Sequence, residues 1–340
     1  RSMKSNIFKY ELPKEKIAQF PPKKRGTTKL LVVDRKTEKL KHERYFNVVD
    51  YIKEGDIVVL NETKVEKRRT FFLTEKGKKV EVLFLEKRRE EDGLEEWFCL
   101  VGRAKDVKDG EILREKEIFV KVIKREGNGF LVNIPSEKSD ILFEKYGHTP
   151  LPPYMKRKDR KSDNVRYNTV FSKIEGSVAA PTASLNLTDD ILRKIEKKGA
   201  RIVKIELKVG WGTFAPVREE NIEDHEIHEE YINISKETAD EINSRKGDVW
   251  AFGTTVARTL ESVTKRGKVK PFNGYTDLYI YPGYKWKIVD HLITNFHMPD
   301  SSLILLVSSF MGINLTKKVY KEALGKDYRF LSYGDSMLIL

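Results

Sequence analysis

Ile118-Phe119-Val120-Lys121-Val122-Ile123, then Lys124-Arg125-Glu126-Gly127-Asn128-Gly129, then Phe130-Leu131-Val132-Asn133-Ile134, is the stretch that decides how this chain is built. β-branched and aromatic residues dominate both apolar runs. The link between them carries two glycines and an asparagine, residues that tolerate positive φ. The pattern predicts two strands joined by a tight turn. Upstream, Val80-Glu81-Val82-Leu83-Phe84-Leu85 and Trp97-Phe98-Cys99-Leu100-Val101 also read as strands, with barely a helix among them. Closely spaced strands of this kind predict a small antiparallel barrel over residues 66–150.

On either side of that region the pattern is mixed. Leu30 to Val33 and Ile57 to Leu60 are apolar runs, with a short helix expected from Val48 to Glu54 and closed by Gly55. Beyond the proline-rich crossing Thr149-Pro150-Leu151-Pro152-Pro153-Tyr154, Thr188 caps an expected helix stopped by Gly199. A strand over Ile202 to Val209 follows, then a helix capped by Ser235 and a strand from Asp248 to Phe252. Gly253 turns that last strand into a helix beginning at Thr254 or Thr255. The fold class is therefore α/β: mixed-sheet α/β segments over residues 1–65 and 151–340 on either side of an antiparallel β-barrel over 66–150, as two domains or as one large domain with the barrel inserted. Its 340 residues are too many for one average core, which agrees.

Sixty-five Lys and Arg against 52 Asp and Glu leave a net charge of +13, which favours a polyanionic partner such as nucleic acid. Lysine and glutamate enrichment, with Gln19 the lone glutamine, is also a thermophile-like composition that produces part of that sum. One cysteine, Cys99 in an apolar run, excludes an intramolecular disulfide framework and reads as a buried inert thiol. No run approaches the ~20 apolar residues of a membrane span, and the N-terminus lacks a signal-peptide core. A cytoplasmic protein is expected.

Six segments of the C-terminal half mix small residues, aromatics and proton-handling groups. They are Gly176-Ser177-Val178-Ala179-Ala180-Pro181-Thr182-Ala183, Val209-Gly210-Trp211-Gly212-Thr213-Phe214 and His225-Glu226-Ile227-His228-Glu229-Glu230-Tyr231. The others are Phe252 to Ser262, Asp290-His291-Leu292-Ile293-Thr294-Asn295-Phe296-His297-Met298-Pro299 and Tyr333-Gly334-Asp335-Ser336-Met337. Strand, glycine, helix N-terminus at Phe252-Gly253-Thr254 is where α/β sheets bind polar ligands. Trp211 and Phe214 are suited to stacking on a base or facing a sulfonium cation, or else to core packing. His225 and His228 are spaced for one helix face, yet no third and fourth ligand accompanies them, so no metal site is read. Asp335 is a candidate carboxylate or a turn cap. The loop Met155-Lys156-Arg157-Lys158-Asp159-Arg160-Lys161 is either solvated or a phosphate-contacting surface.

Taken in order, these segments resemble the S-adenosylmethionine:tRNA ribosyltransferase-isomerase family of queuosine biosynthesis. The resemblance extends through Ile17-Ala18-Gln19, Leu30 to Asp34 and Gly55 to Val65, nearly the whole chain. It implies a discontinuous α/β catalytic domain, 1–65 and 151–340, with the barrel domain inserted at 66–150. It also implies transfer and isomerisation of the ribosyl moiety of S-adenosylmethionine onto 7-aminomethyl-7-deazaguanine (preQ1) at the wobble position of a tRNA. Epoxyqueuosine-tRNA forms, and adenine and methionine leave. S-adenosylmethionine is then a substrate, and no metal or redox cofactor is implied. Partners are the tRNA and S-adenosylmethionine, with the protein acting as a monomer. His228, Glu229, His291, His297 and Asp335 are candidates for proton transfer. Ser177, Thr182, Trp211, Thr213, Phe214, Thr254, Thr255 and Arg258 are candidates for donor binding, and Lys156, Arg157 and Lys158 for tRNA.

Two positions depart from the family's usual pattern. Asn186 and Lys208 stand where the family usually has histidines, which argues that those positions are supportive rather than essential. A conventional S-adenosylmethionine-dependent RNA methyltransferase is disfavoured because Gly210-Trp211-Gly212 lacks the third glycine of that fingerprint. A non-enzymatic RNA-binding protein has no need for six such segments.

Overall fold

The computed structural model describes residues 2–177, 179–208, 216–227 and 229–340, apart from the side chains of 174–176. Its larger part is a nine-stranded sheet. In spatial order the strands are Phe272–Thr276, Glu230–Ile234, Arg201–Lys208, Ile57–Asn61, Val249–Phe252, His291–Asn295, Ser336–Ile339, Lys29–Val33 and Leu40–Arg44. The four from Arg201–Lys208 to His291–Asn295 run parallel. Antiparallel pairs flank them on both sides. Every residue of Ile57–Asn61 and Val249–Phe252 is buried, as expected for central parallel strands covered on both faces. One face packs Val59, Ala251, Leu260 and Val307, and the other packs Val58, Leu60, Ile191 and Trp250.

The local signals work as expected. Thr188 Oγ1 accepts from Ile191 N–H at 3.1 Å to start helix Asp189–Lys197, and Gly199, at φ +93°, follows its end. Ser235 caps helix Lys236–Asn243 in the same way. The expected helix near Val48 is a 3₁₀ segment, Tyr45–Tyr51.

The barrel closes with six strands in the order Gly129–Pro135, Leu94–Val101, Lys79–Glu91, Arg69–Leu73, Ile112–Glu115 and Ile118–Glu126. Alternate residues fill it, among them Phe72, Val82, Phe84, Leu113, Val120, Val122 and Val132, in a hydrophobic cluster separate from the sheet's. The quoted hairpin turns at Gly127, with φ +57°. Gly129 could carry no side chain, because a Cβ there would lie 2.5 Å from the Cys99 carbonyl oxygen. Cys99 is buried, and burial pushes its thiol well up, as an inert cysteine requires.

Two barrel strands, Arg69–Leu73 and Ile112–Glu115, are absent from the sequence-based expectation. Ile112–Glu115 has one buried residue, and the register pair Leu73↔Arg114 joins the two strands. At the barrel's neck Arg69 and His148 exchange backbone hydrogen bonds of 3.1 and 2.7 Å. The chain therefore leaves and re-enters the α/β part side by side. No single helix among the described residues is long and apolar enough to cross a membrane.

Candidate active site

Parallel α/β sheets bind ligands beyond the carboxyl ends of their strands, where loops diverge. A cavity of about 580 Å³ opens there. Strand Val249–Phe252 delivers Gly253, at φ +115°, and then helix Thr254–Val263, which has no side-chain cap over its first amides. Thr254 and Thr255 line the cavity. Strand His291–Asn295 delivers Thr294 and Asn295, followed by His297. The Ala179–Ala183 turn, with Thr182, forms another wall.

His297 is 7% exposed. Its Nε2 lies 2.8 Å from Thr294 Oγ1, and its backbone N–H donates to Tyr320 at 3.0 Å. Burial lowers its pKa from 6.5 to about 3, so the imidazole in the cavity wall is neutral at physiological pH. Among the described residues that line the cavity, Asp300 is the carboxylate.

The remaining wall comes from the N-terminal segment. Leu12, Lys14, Ile17 and Gln19 reach the cavity beside Tyr154 and Lys156. Gln19 ties the wall together: its Oε1 accepts from Lys156 N–H at 3.0 Å and its Nε2 donates to the Tyr154 carbonyl at 3.3 Å. Tyr154 in turn bonds Ser332 through its hydroxyl. None of these was named as a site residue from sequence apart from Lys156, although Ile17-Ala18-Gln19 carries part of the resemblance.

A small hollow of about 30 Å³ adjoins the cavity and shares Thr254, Thr255 and Leu303 with it. Arg258 and Glu230 lie in its wall as a buried ion pair, Nη2 donating to Oε1. Glu230 was passed over in the sequence in favour of its neighbour Glu229, which is exposed and lines neither cavity. Strand alternation explains the difference, since Glu230 opens strand Glu230–Ile234 with its side chain inward.

Several expected site residues lie elsewhere. His291 begins its strand, about 13 Å of chain from Asn295 at ~3.3 Å per residue. There its ring lies against that of Trp250, tilted by 43° with centroids 4.6 Å apart, and its Nε2 lies 2.8 Å from Asp248 Oδ2. That is the far end of the sheet from the cavity. Asp335 is consumed by main chain: Oδ1 accepts from Lys29 N–H at 2.7 Å and Oδ2 from Arg329 N–H at 2.6 Å. This is a structural role, though not the cap of its own turn that the sequence offers: one donor lies on strand Lys29–Val33 and the other six residues back. Ser177 Oγ donates to the Ala179 carbonyl at 2.6 Å, shaping the turn rather than lining the cavity. Arg157 is clamped by Asp163 at 2.8 and 3.0 Å and by the Gln19 carbonyl at 2.7 Å, whereas Lys156 and Lys158 are exposed. Trp211, Thr213, Phe214 and His228 lie outside the described residues. Asn186 is buried next to the Thr182 turn, and Lys208 ends its strand with Nζ 3.7 Å from Glu206. Neither lines the cavity. No group of three or more metal-ligating side chains gathers among the described residues.

Comparison with known proteins gives this geometry a context. The family described as "Queuosine biosynthesis protein" matches residues 5–339. The S-adenosylmethionine:tRNA ribosyltransferase-isomerase of Aquifex aeolicus is 43% identical, over 99% of this chain and 100% of its own. The protein of the same name from a Sulfurihydrogenibium species is 44% identical with the same coverage. The crystal structure of S-adenosylmethionine tRNA ribosyltransferase from Thermotoga maritima superposes with a TM-score of 0.56. It is 31% identical in sequence and covers 98% of this chain and 100% of its own.

Proposed function

The chain belongs to the S-adenosylmethionine:tRNA ribosyltransferase-isomerases of queuosine biosynthesis, and we propose that the cavity at the strand ends holds the donor S-adenosylmethionine while the modified base of a tRNA enters from the basic rim. The reaction moves and isomerises the ribosyl moiety onto preQ1 at the wobble position, with loss of adenine and methionine. The observation that carries this placement is the uncapped helix N-terminus at Thr254 in the cavity wall, with Arg258 one turn along the same helix and paired to Glu230 of strand Glu230–Ile234. The helix amides and the hydroxyls of Thr182, Thr254 and Thr255 suit a ribose and its leaving base. Arg258 and Glu230, charged groups that face the adjoining hollow rather than the cavity itself, are the candidates this reading offers to the carboxylate and ammonium of the donor's amino-acid end.

The chemistry asks for a base beside the sulfonium, a proton donor for departing adenine and a neutral attacking amine. Asp300, the carboxylate among the described residues that line the cavity, is the group this reading assigns to take the proton. His297, neutral at rest, serves as a hydrogen-bonding partner rather than as a stored proton, because a group with a pKa near 3 holds none at pH 7. Trp211, Thr213, Phe214 and His228 enter this proposal on sequence alone. The protein acts as a cytoplasmic monomer, with S-adenosylmethionine consumed as a substrate.

The test uses S-adenosylmethionine labelled separately in its methyl and ribose groups, with tRNA carrying preQ1. Ribose label should enter the tRNA, methyl label should leave with methionine, and free adenine should appear. Methyl label in the RNA, with S-adenosylhomocysteine released, would establish a methyltransferase instead. Transfer of neither label, with tRNA retained on a filter, would leave a binding protein.

A further inference from the structure

A band of aromatic and cationic side chains leads from the cavity mouth onto the barrel. Gln19 lines the cavity, and the next residue, Phe20, is 45% exposed. The guanidinium carbons of Arg157 and Arg160 lie 4.3 and 3.9 Å from its ring centroid. Arg157 is locked onto Asp163, but Arg160 is exposed and rests on the ring. Further along, His148 sits with Nδ1 2.7 Å from Asp159 Oδ1 and its side chain 44% exposed. Its ring meets the ring of Phe71 edge to face, at 5.6 Å. Phe71 belongs to barrel strand Arg69–Leu73, and Lys79 Nζ from the neighbouring strand lies 4.7 Å from its ring centroid.

We propose that this band is a docking surface for a looped single strand of RNA, with the barrel gripping the same RNA whose modified nucleotide enters the cavity. Phe20, His148 and Phe71 are stacking surfaces for splayed bases, and Arg160 and Lys79 are their flanking phosphate contacts. The assignment to RNA rests on the functional reading above and on chemistry. The exposed ring of Phe20 and the half-buried rings of His148 and Phe71, interleaved with cations on a chain of net charge +13, match a polyanion that also presents flat π-faces. A continuous duplex hides its base faces in the stack, whereas a loop can lay them against aromatic and guanidinium planes. Arg157 anchors the band, since its clamp on Asp163 fixes the loop that carries Arg160.

The experiment measures binding of the full chain to an anticodon stem-loop RNA and to a fully paired duplex of equal length, by fluorescence anisotropy at several salt concentrations. Phe20→Ala and Phe71→Ala should each weaken stem-loop binding about tenfold, and Phe20→Tyr and Phe71→Tyr should restore it. Arg160→Ala and Lys79→Ala should each flatten the log–log salt slope by about 0.7. Calorimetric binding of S-adenosylmethionine and the melting temperature should stay at wild-type values for all of them. Wild-type affinity in Phe71→Ala would remove the barrel from the interface. A Tyr variant as weak as its Ala counterpart would reduce the rings to packing, and duplex bound as tightly as stem-loop would overturn the looped-strand assignment. Binding lost through these residues in a protein that transfers no ribose label would sink the proposed reaction and leave this surface standing.

Discussion

Arg258 donates to Glu230 across an ion pair whose side chains are 5% and 7% exposed. The same arginine lies in helix Thr254–Val263, whose first residues line the main cavity, and the glutamate opens the strand Glu230–Ile234. A buried pair of this kind contributes little net stability against a well-packed apolar replacement, yet losing one partner strands a charge at a cost of about 3–5 kcal/mol. Glu230→Gln or Arg258→Met should therefore lower the melting temperature and raise KM for the donor. The double variant Arg258→Met/Glu230→Leu should recover the melting temperature but keep the raised KM, at least tenfold above wild type. Recovery of both by the double variant would make the pair scaffold alone.

His297 predicts an acid-side instability. Its folded pKa, about 3, lies below the ordinary 6.5, so the unfolded chain binds the extra proton between those values. Stability from this group is complete above about pH 6.5 and is lost as pH falls toward 3, by about 2 kcal/mol at pH 5. His297→Gln should remove that part of the acid slope in urea unfolding measured from pH 7 to 4. A wild-type slope in the variant would show that the imidazole is not held neutral by burial.

What the sequence displays depends on how local the cause is. The Thr188 cap, the Gly199 stop and the Gly127 turn are legible because each is fixed within a few residues by hydrogen bonding or by φ. Strand Ile112–Glu115 is not, because one buried side chain in four residues gives no alternating apolar pattern, although the strand pairs as a two-residue hairpin with Ile118–Glu126. The site divides in the same way. Thr182, Thr254, Thr255 and His297 follow strand ends or small-residue turns, and the structure brings them together in one cavity. Asp335 and His291 look like chemistry in the sequence, but each has a partner far along the chain, Asp335 in addition to Arg329 six residues before it. Lys29 stands 306 residues from Asp335, and Asp248 stands 43 from His291. A titratable side chain shows its type in the sequence, while the donors that occupy it appear only in the fold.

The basic loop separates into two kinds of cation. Lys156 and Lys158 are exposed, whereas Arg157 holds Asp163, a carboxylate with 1% of its side chain exposed that also receives the Tyr333 hydroxyl at 2.9 Å. Lys156→Ala and Lys158→Ala should each reduce the salt slope of tRNA binding by about 0.7–0.9 with the melting temperature unchanged. Arg157→Ala should destabilise the fold by about 3 kcal/mol or more, by leaving Asp163 buried and unpaired. If Arg157→Ala melts like the wild type and only the salt slope falls, the clamp is a phosphate contact after all.

The barrel should be separable from the sheet. Its apolar residues form a cluster of their own around Phe84, Val120 and Val132, and the sheet's clusters draw on neither side of it. The two chain ends at the neck are already hydrogen-bonded through Arg69 and His148, so a short linker spans the gap once the barrel is gone. Sheet strands lie on both sides of the excision, with Ile57–Asn61 before it and Arg201–Lys208 after it, and they pair directly. Replacing residues 66–150 with a short glycine-serine linker should accordingly leave a cooperatively folding α/β domain. Heteronuclear NMR should show dispersed amide signals. If the docking band continues onto the barrel, the same variant should keep its affinity for S-adenosylmethionine and lose most of its affinity for the stem-loop RNA. A molten remainder would show that barrel and sheet fold as one unit. A well-folded remainder that binds the RNA as tightly as the whole chain would place the RNA surface on the α/β domain alone.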